Sequence, residues 1–333
     1  MDVSFINTLL SPGNFLLMLA PPGWGKTRIL RSLYSEFDRK IIFISPLKAL
    51  AMEFAEASEE LGNILYISKR SERGKLHQFI KKRKALLVLT PEMMDENYFL
   101  ELSSLGEKYL LVLDEFHLFY FWGWDFRPLL WESAMGLAET GIAILGLSAT
   151  FGDEWIEQWQ KDFKNSQENL ILINLGNQVL KNHPIHIYKL PFKNMFMRRF
   201  FFEMQGEGVI LYFCKYRSEV DFYVEYFTLR GVDVLGCKGG EVAHFVKNLK
   251  KMPNPQCIFA TSALSHGVNL PSIKKIFIGF KVLDLNFWIQ MVGRGGRRGE
   301  PFELFHQDKF AGQFKLRVFL FDFYLRLINL LKL

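Results

Sequence analysis

Short runs that are apolar throughout recur along this chain, each followed by a longer stretch whose apolar residues fall three or four apart. The short runs have strand length and no polar alternation, so they read as strands of a parallel sheet covered on both faces. The longer stretches read as the helices that cover it. In the first half, strands are expected over residues 15–19, 40–45, 64–67, 85–89, 109–113, 142–147 and 170–173. Helices are expected over 3–10, 28–37, 47–61, 72–84, 92–104, 129–139 and 153–163. The rhythm breaks near residues 176–184, which are polar and rich in Asn and Gly, so a linker is placed at 178–184. It then resumes, with strands expected over 185–190, 209–213, 232–235, 257–260, 275–278 and 302–305, and helices over 218–229 and 285–292. The expectation is an α/β chain of two tandem domains, residues 1–177 and 185–310, followed by an amphipathic helix within 311–333.

Composition supports two cores. A chain of 333 residues exceeds one small domain, and 49% hydrophobic content with 33 Phe supplies ample apolar surface. A net charge of +6 and a pI of about 9.0 suit a phosphate-rich partner. Cys214, Cys237 and Cys257 are too widely spaced for a metal or redox motif and read as buried thiols in a reducing, cytoplasmic compartment. The start has no basic segment followed by a long apolar one. The longest apolar region, 318–333, is interrupted by Asp322, Arg326, Asn329 and Lys332, so no membrane partner is expected. The basic run 81–84 reads as a charged helix face.

Chemistry concentrates at strand ends. Ala20-Pro21-Pro22-Gly23-Trp24-Gly25-Lys26-Thr27 lies between an expected strand and an expected helix. Glycines there let bare backbone approach an anion, and the following helix start offers unpaired N–H groups. Residues Pro22 to Arg28 are therefore candidates to hold a nucleoside triphosphate, with Ala20 standing where such loops usually have a first glycine. Lys26 would reach the terminal phosphates, and Thr27 would offer its hydroxyl to Mg²⁺. The expected strand at 109–113 ends in Asp114-Glu115-Phe116-His117. Asp114 is the second Mg²⁺ candidate, and Glu115 would orient or deprotonate the attacking water. Ser148-Ala149-Thr150 closes another strand and is a candidate sensor of the γ-phosphate. Far downstream, Gln290 to Gly299 carries Arg294, Arg297 and Arg298 among glycines, either a solvated basic loop or a source of an arginine finger.

In this order the set AxxGxGKT, DExH, SAT and QxxGRxGR resembles the superfamily-two helicases, over residues 15–299. Ser45-Pro46-Leu47-Lys48 and Thr90-Pro91-Glu92 look like that family's strand-binding motifs. Residues 212–217 resemble its fourth motif, and Ala260-Thr261-Ser262 through Gly267-Val268-Asn269-Leu270-Pro271 its fifth. Gly-Val-Asn-Leu-Pro and Gln-Met-Val-Gly-Arg look most like superkiller-type RNA helicases and their archaeal DNA-repair relatives. The aromatic stretch from Phe119 to Pro128 is similar to the aromatic-rich loop of RecQ-type DNA helicases.

The resemblance implies two RecA-like domains, ATP with Mg²⁺ as cofactors, and single-stranded or tailed nucleic acid as partner, DNA favoured over RNA. It implies that Arg294 and Arg297 are finger arginines, that Gln290 approaches the γ-phosphate or its water, and that Gly267 and Asn269 line the nucleotide cleft. Strand contacts would come from Ser45, Pro46, Lys48, Thr90, Pro91, Glu92 and Thr261, with Trp122 and Trp124 stacking on bases and Arg127 pairing with a phosphate. His117, Ser148 and Thr150 would couple the domains. Two departures stand out. No adenine-reading glutamine precedes the phosphate loop, so preference for ATP is unsupported. The relatives' winged-helix and ratchet domains have no counterpart after residue 310, which leaves room for a protein partner that supplies them, or for an ATP-operated clamp within a larger complex.

Overall fold

A computed structural model of the chain describes residues 2–72, 74–94, 100–102, 109–123, 127–265 and 268–307. The chain divides into two compact units between Lys181 and Asn182. The first holds seven parallel strands: β1 (Asn14–Leu19), β2 (Lys40–Ile44), β3 (Ile64–Tyr66), β4 (Leu86–Leu89), β5 (Tyr109–Leu113), β6 (Ala143–Ser148) and β7 (Asn169–Asn174). Their order across the sheet is β3-β4-β2-β5-β6-β1-β7. Helices α1 (Val3–Leu9), α2 (Lys26–Glu36), α3 (Lys48–Ser58), α4 (Gly74–Lys81), α5 (His117–Gly123), α6 (Pro128–Ala138) and α7 (Asp153–Phe163) accompany it.

Strand β1 shows why the strands are apolar throughout. Phe15, Leu17 and Leu19 join one core with Phe116 and Trp159, while Leu16 and Met18 join another with Ile29, Leu33 and Tyr34. Alternate side chains of a strand point to opposite faces, so both faces must be oily when both are covered. The edge strands β3 and β7 are only partly buried. Parallel strands place all their C-terminal ends on one edge, where ligands of such sheets are held. That edge gathers the ends of β1, β2, β4, β5 and β6.

The second unit has six parallel strands: β8 (His186–Lys189), β9 (Val209–Phe213), β10 (Val234–Cys237), β11 (Cys257–Ala260), β12 (Ile273–Ile278) and β13 (Glu303–His306). Their order is β10-β11-β9-β12-β13-β8, with helices α8 (Lys193–Glu203), α9 (Arg217–Thr228), α10 (Val242–Lys251) and α11 (Leu285–Val292). Phe305 stacks nearly parallel between Phe277 at 4.3 Å and Tyr188 at 4.6 Å on the neighbouring strands, a cross-strand ladder in the buried core. Phe305→Ala is expected to cost about 3–5 kcal/mol, read as a lower denaturant midpoint.

Several expected elements differ. The aromatic stretch after Glu115 is not a loop over 117–123 but helix α5, with Leu118, Phe119 and Tyr120 buried. Helices α8 and α10 were not expected. A dense run of Phe and Arg hides the 3.6-residue period of α8, whose Phe196 and Phe200 face the core. The expected helix over 92–104 opens instead with a short 3₁₀ turn, Pro91–Met93, and most of its remainder lies outside the described residues. The C-terminal helix expected within 311–333 also lies outside them. Among the described residues no helix is long and apolar enough to cross a membrane.

Candidate nucleotide site

The phosphate loop begins where the β1–β6 ladder ends: the Ala20 N–H donates to the Ser148 carbonyl at 2.9 Å. The chain then turns tightly, the Trp24 N–H reaching the Pro21 carbonyl at 3.1 Å. Gly25 caps α2 at φ 110°, a backbone state that a side chain strongly disfavours. A Cβ there would meet nothing within 4 Å, so the space beside the first turn of α2 is open. The first N–H groups of that turn have no helical partner, which suits them to phosphate oxygens. Lys26 folds back over the loop, its Nζ donating to the Ala20 carbonyl at 2.9 Å. Thr27 and Arg28 are exposed, Pro22 is half-buried, and Trp24 packs on the core beneath the loop.

Asp114 and Glu115 follow β5 on the same edge. The Asp114 N–H continues the ladder to the Ile44 carbonyl at 3.0 Å, and Glu115 then bends the chain at φ 46°. The Phe116 N–H rejoins the sheet at the Leu147 carbonyl at 2.8 Å. Enclosure by protein, then the charge of Glu115, hold the Asp114 carboxyl well above the usual carboxylate range, while Lys26 pulls the other way. The Asp114 carboxylate and the Thr27 hydroxyl are oxygen donors of the kind Mg²⁺ takes, and added cationic charge is what the raised carboxyl calls for.

That carboxyl has a pH consequence. Its pKa is raised by folding, so the folded protein takes up a proton more readily than the unfolded chain. Without metal, stability should therefore fall as pH rises from the unfolded carboxyl's range toward neutrality. Asp114→Asn is expected to raise the melting temperature of the metal-free protein at neutral pH, measured by thermal denaturation. An unchanged or lower value would contradict the reading of Asp114.

His117 and Ser148 are both buried, and His117 Nδ1 lies 3.0 Å from Ser148 Oγ. The serine hydroxyl donates to the Thr150 carbonyl at 2.9 Å and accepts from the Thr150 N–H at 3.2 Å. With that proton committed, Ser148 Oγ accepts at His117, which assigns the imidazole proton to Nδ1. Glu115 Oε2 sits 3.6 Å from the same nitrogen. The acidic box and the Ser-Ala-Thr segment are thus joined through one histidine.

Beyond β2 and β4, the candidate strand-binding motifs meet at Arg127. Its guanidinium donates to Glu92 through Nε at 2.8 Å and through Nη2, and to the Pro46 carbonyl through Nη1. It also lies over the Trp122 ring, 5.7 Å from its centroid. Arg127 therefore fastens three segments together instead of standing clear for a phosphate. Trp122 is half-buried and packs on the core. Ser45 is fully buried, and its hydroxyl finds no hydrogen-bond partner among the described residues. Thr90 is buried, while Lys48 is exposed. Trp124 lies outside the described residues.

In the second unit, Arg294 is only 1% exposed. It donates to the Ser265 carbonyl at 3.2 Å and the Val268 carbonyl at 2.7 Å. It braces the fifth-motif segment from inside. Arg297 is half-buried and approaches the Val268 carbonyl more loosely, at 3.4 Å, while Arg298 is exposed. Gln290 and Thr261 are buried, Asn269 is exposed, and Gly267 lies outside the described residues.

Three residues of the first unit escaped sequence reasoning. Asn174 ends β7, Asn177 lies in the polar break that follows, and Lys181 Nζ, within the expected linker, donates to the Gly23 carbonyl of the phosphate loop at 3.0 Å. A polar linker carries no pattern that reveals such contacts.

The DEAD/DEAH box helicase family matches residues 3–159, and the helicase conserved C-terminal domain matches residues 193–299. The chain carries the paired domains of a superfamily-two helicase. It is 25% identical over 291 residues to the ATP-dependent DNA helicase RecQ of Bacillus subtilis, covering 84% of this chain and 49% of that protein. It is 26% identical over 315 residues to the RecQ of Haemophilus influenzae, covering 90% of this chain and 49% of that protein. The chain thus spans about half the length of the curated relatives it matches. Among solved structures, Saccharomyces cerevisiae Dbp5 bound to RNA and ADP BeF3 is similar with a TM-score of 0.65 at 16% identity, covering 89% of this chain and 80% of that one. Both units have the tandem RecA-like helicase fold.

Proposed function

We propose that this chain is a nucleic-acid-stimulated ATPase of the helicase kind, acting on single-stranded DNA. The observation that carries the reading is the gathering of Lys26, Asp114, Glu115 and the His117–Ser148 hydrogen bond on one sheet edge, with Lys26 and Glu115 close enough to act on the Asp114 carboxyl. DNA is favoured over RNA because the curated relatives that match along most of the chain are named DNA helicases. The resemblance to superkiller-type and archaeal repair helicases implies movement from 3′ to 5′.

The loop N–H groups and Lys26 would hold the β- and γ-phosphates. Magnesium, bound by Thr27 and Asp114, would supply the counter-charge those phosphates need. Glu115 would take the proton of the attacking water as its oxygen bonds to the γ-phosphorus and the bond to ADP breaks. His117, fixed by Ser148, would hold the Glu115 carboxylate in register. Arg297, the looser of the two family arginines, would supply positive charge to the transition state, and Arg294 would hold the segment that presents it.

Matched DNA and RNA single strands, added to separate ATPase assays, test the substrate. Greater stimulation by DNA is expected, and greater stimulation by RNA would reassign the chain to RNA. Glu115→Gln is expected to bind nucleotide while turnover falls by roughly 10²–10³-fold, since one proton acceptor is lost. Undiminished turnover would remove Glu115 from the mechanism. A tailed duplex with a 3′ overhang should be displaced faster than one with a 5′ overhang.

A further inference from the structure

The stretch between β7 and the unit boundary is tied to the nucleotide motifs on two sides. Its entry is pinned to β1, the Leu175 N–H donating to the Leu19 carbonyl at 2.7 Å. Asn174 Oδ1 then accepts from the Gly176 and Asn177 N–H groups at 3.0 and 2.9 Å, which folds the stretch into a tight turn. Gly176 adopts φ 126° and comes so near the phosphate loop that a Cβ would lie 3.2 Å from Pro21 Cδ.

On the other side, the Asn177 side-chain amide clamps Phe151. Its Oδ1 accepts from the Phe151 N–H at 2.9 Å, and its Nδ2 donates to the Phe151 carbonyl at 2.6 Å. The Gln178 N–H donates to the Ala149 carbonyl at 3.3 Å. Four residues after Asn177, the ammonium of Lys181 rests on the Gly23 carbonyl. One turn of chain therefore holds the phosphate loop and the Ser-Ala-Thr segment together, and the backbone enters the second unit directly after it.

We propose that residues 174–181 form a coupling strap, with Asn177 and Lys181 as positioning residues that carry the state of the nucleotide site into the second unit. The inference rests on the ATPase reading above. The physical warrant is an unbroken set of hydrogen bonds. A shift of Gly23 or of Ala149 on nucleotide binding must either break these bonds or move the strap. Neither residue need touch the nucleotide.

The test measures steady-state ATP hydrolysis by the full chain, with and without a thymidine homopolymer, for wild type, Asn177→Ala and Lys181→Ala. The readout is the ratio of stimulated to basal rate. A residue that only stabilises the fold lowers both rates and leaves their ratio intact. Loss of coupling lowers the ratio, here by about two- to thirtyfold, the span of typical coupling effects. Lys181→Arg should restore the ratio, since it keeps the charge and reach. Full ratios in both alanine variants would overturn the strap. Should Asn177→Ala fail to fold, Lys181 is exposed and its ratio decides alone. Absence of hydrolysis in the wild type would instead defeat the ATPase reading on which the strap rests.

Discussion

Lys26→Ala is expected to lower ATP turnover by roughly 10²–10³-fold, the typical effect of removing one preorganised electrostatic partner, with little change in melting temperature. The lysine Nζ donates to its own loop, at the Ala20 carbonyl, and its side chain is not part of either core. Removing it leaves no buried hole and no buried carboxylate with its sole partner gone, since Asp114 already sits in a setting that favours its neutral form. What disappears is a point charge beside the space where phosphates would gather. Nucleotide binding followed by fluorescence, alongside turnover, separates the two roles of that charge. Turnover at the wild-type rate would show that the loop does not hold a reacting phosphate.

The second large effect should split the two arginines of the Gly/Arg segment. Arg297→Ala is expected to reduce turnover by on the order of 10³-fold, the lower end for a finger arginine, at unchanged stability. It is half-buried, and its contacts to the Gly293 and Val268 carbonyls are both long, at 3.4 Å. Arg294→Ala should act on the fold instead. Its guanidinium is buried, and truncation removes its hydrogen bonds to the Ser265 and Val268 carbonyls, at about 1.5–3 kcal/mol for a hydrogen bond to a charged group. Denaturant unfolding and single-turnover hydrolysis on both variants read the split. A stable Arg294→Ala protein with turnover as low as that of Arg297→Ala would return Arg294 to the catalytic role that the family resemblance implies.

Much of the scaffold was legible because the chemistry of a covered parallel strand is one-sided. Runs such as Phe15 to Leu19 and Tyr109 to Leu113 can be placed only where both faces are oily, and each ends in the residues that function requires. The phosphate loop was legible for a related reason: φ 110° at Gly25 and the exposed helix start behind it demand glycine, and glycine shows in the sequence.

Burial was less legible than position. The aromatic stretch read as a base-stacking surface centred on Trp122 and Trp124, and packing against Phe151 and Trp131 makes its Tyr120 a core residue. Arg127 and Arg294 carry charges that look available in the sequence, yet carbonyls in other segments take them up. The asparagines at 174 and 177 left no trace, because their partners lie more than twenty residues away or are bare backbone.

The most direct measurement is the rate of ATP hydrolysis by the unmodified chain as a single-stranded DNA oligonucleotide is titrated in, with Mg²⁺ present. Hydrolysis that rises to a plateau with added strand is the expected result. No hydrolysis above background, with or without strand, would contradict the assignment of this sheet edge to nucleotide turnover.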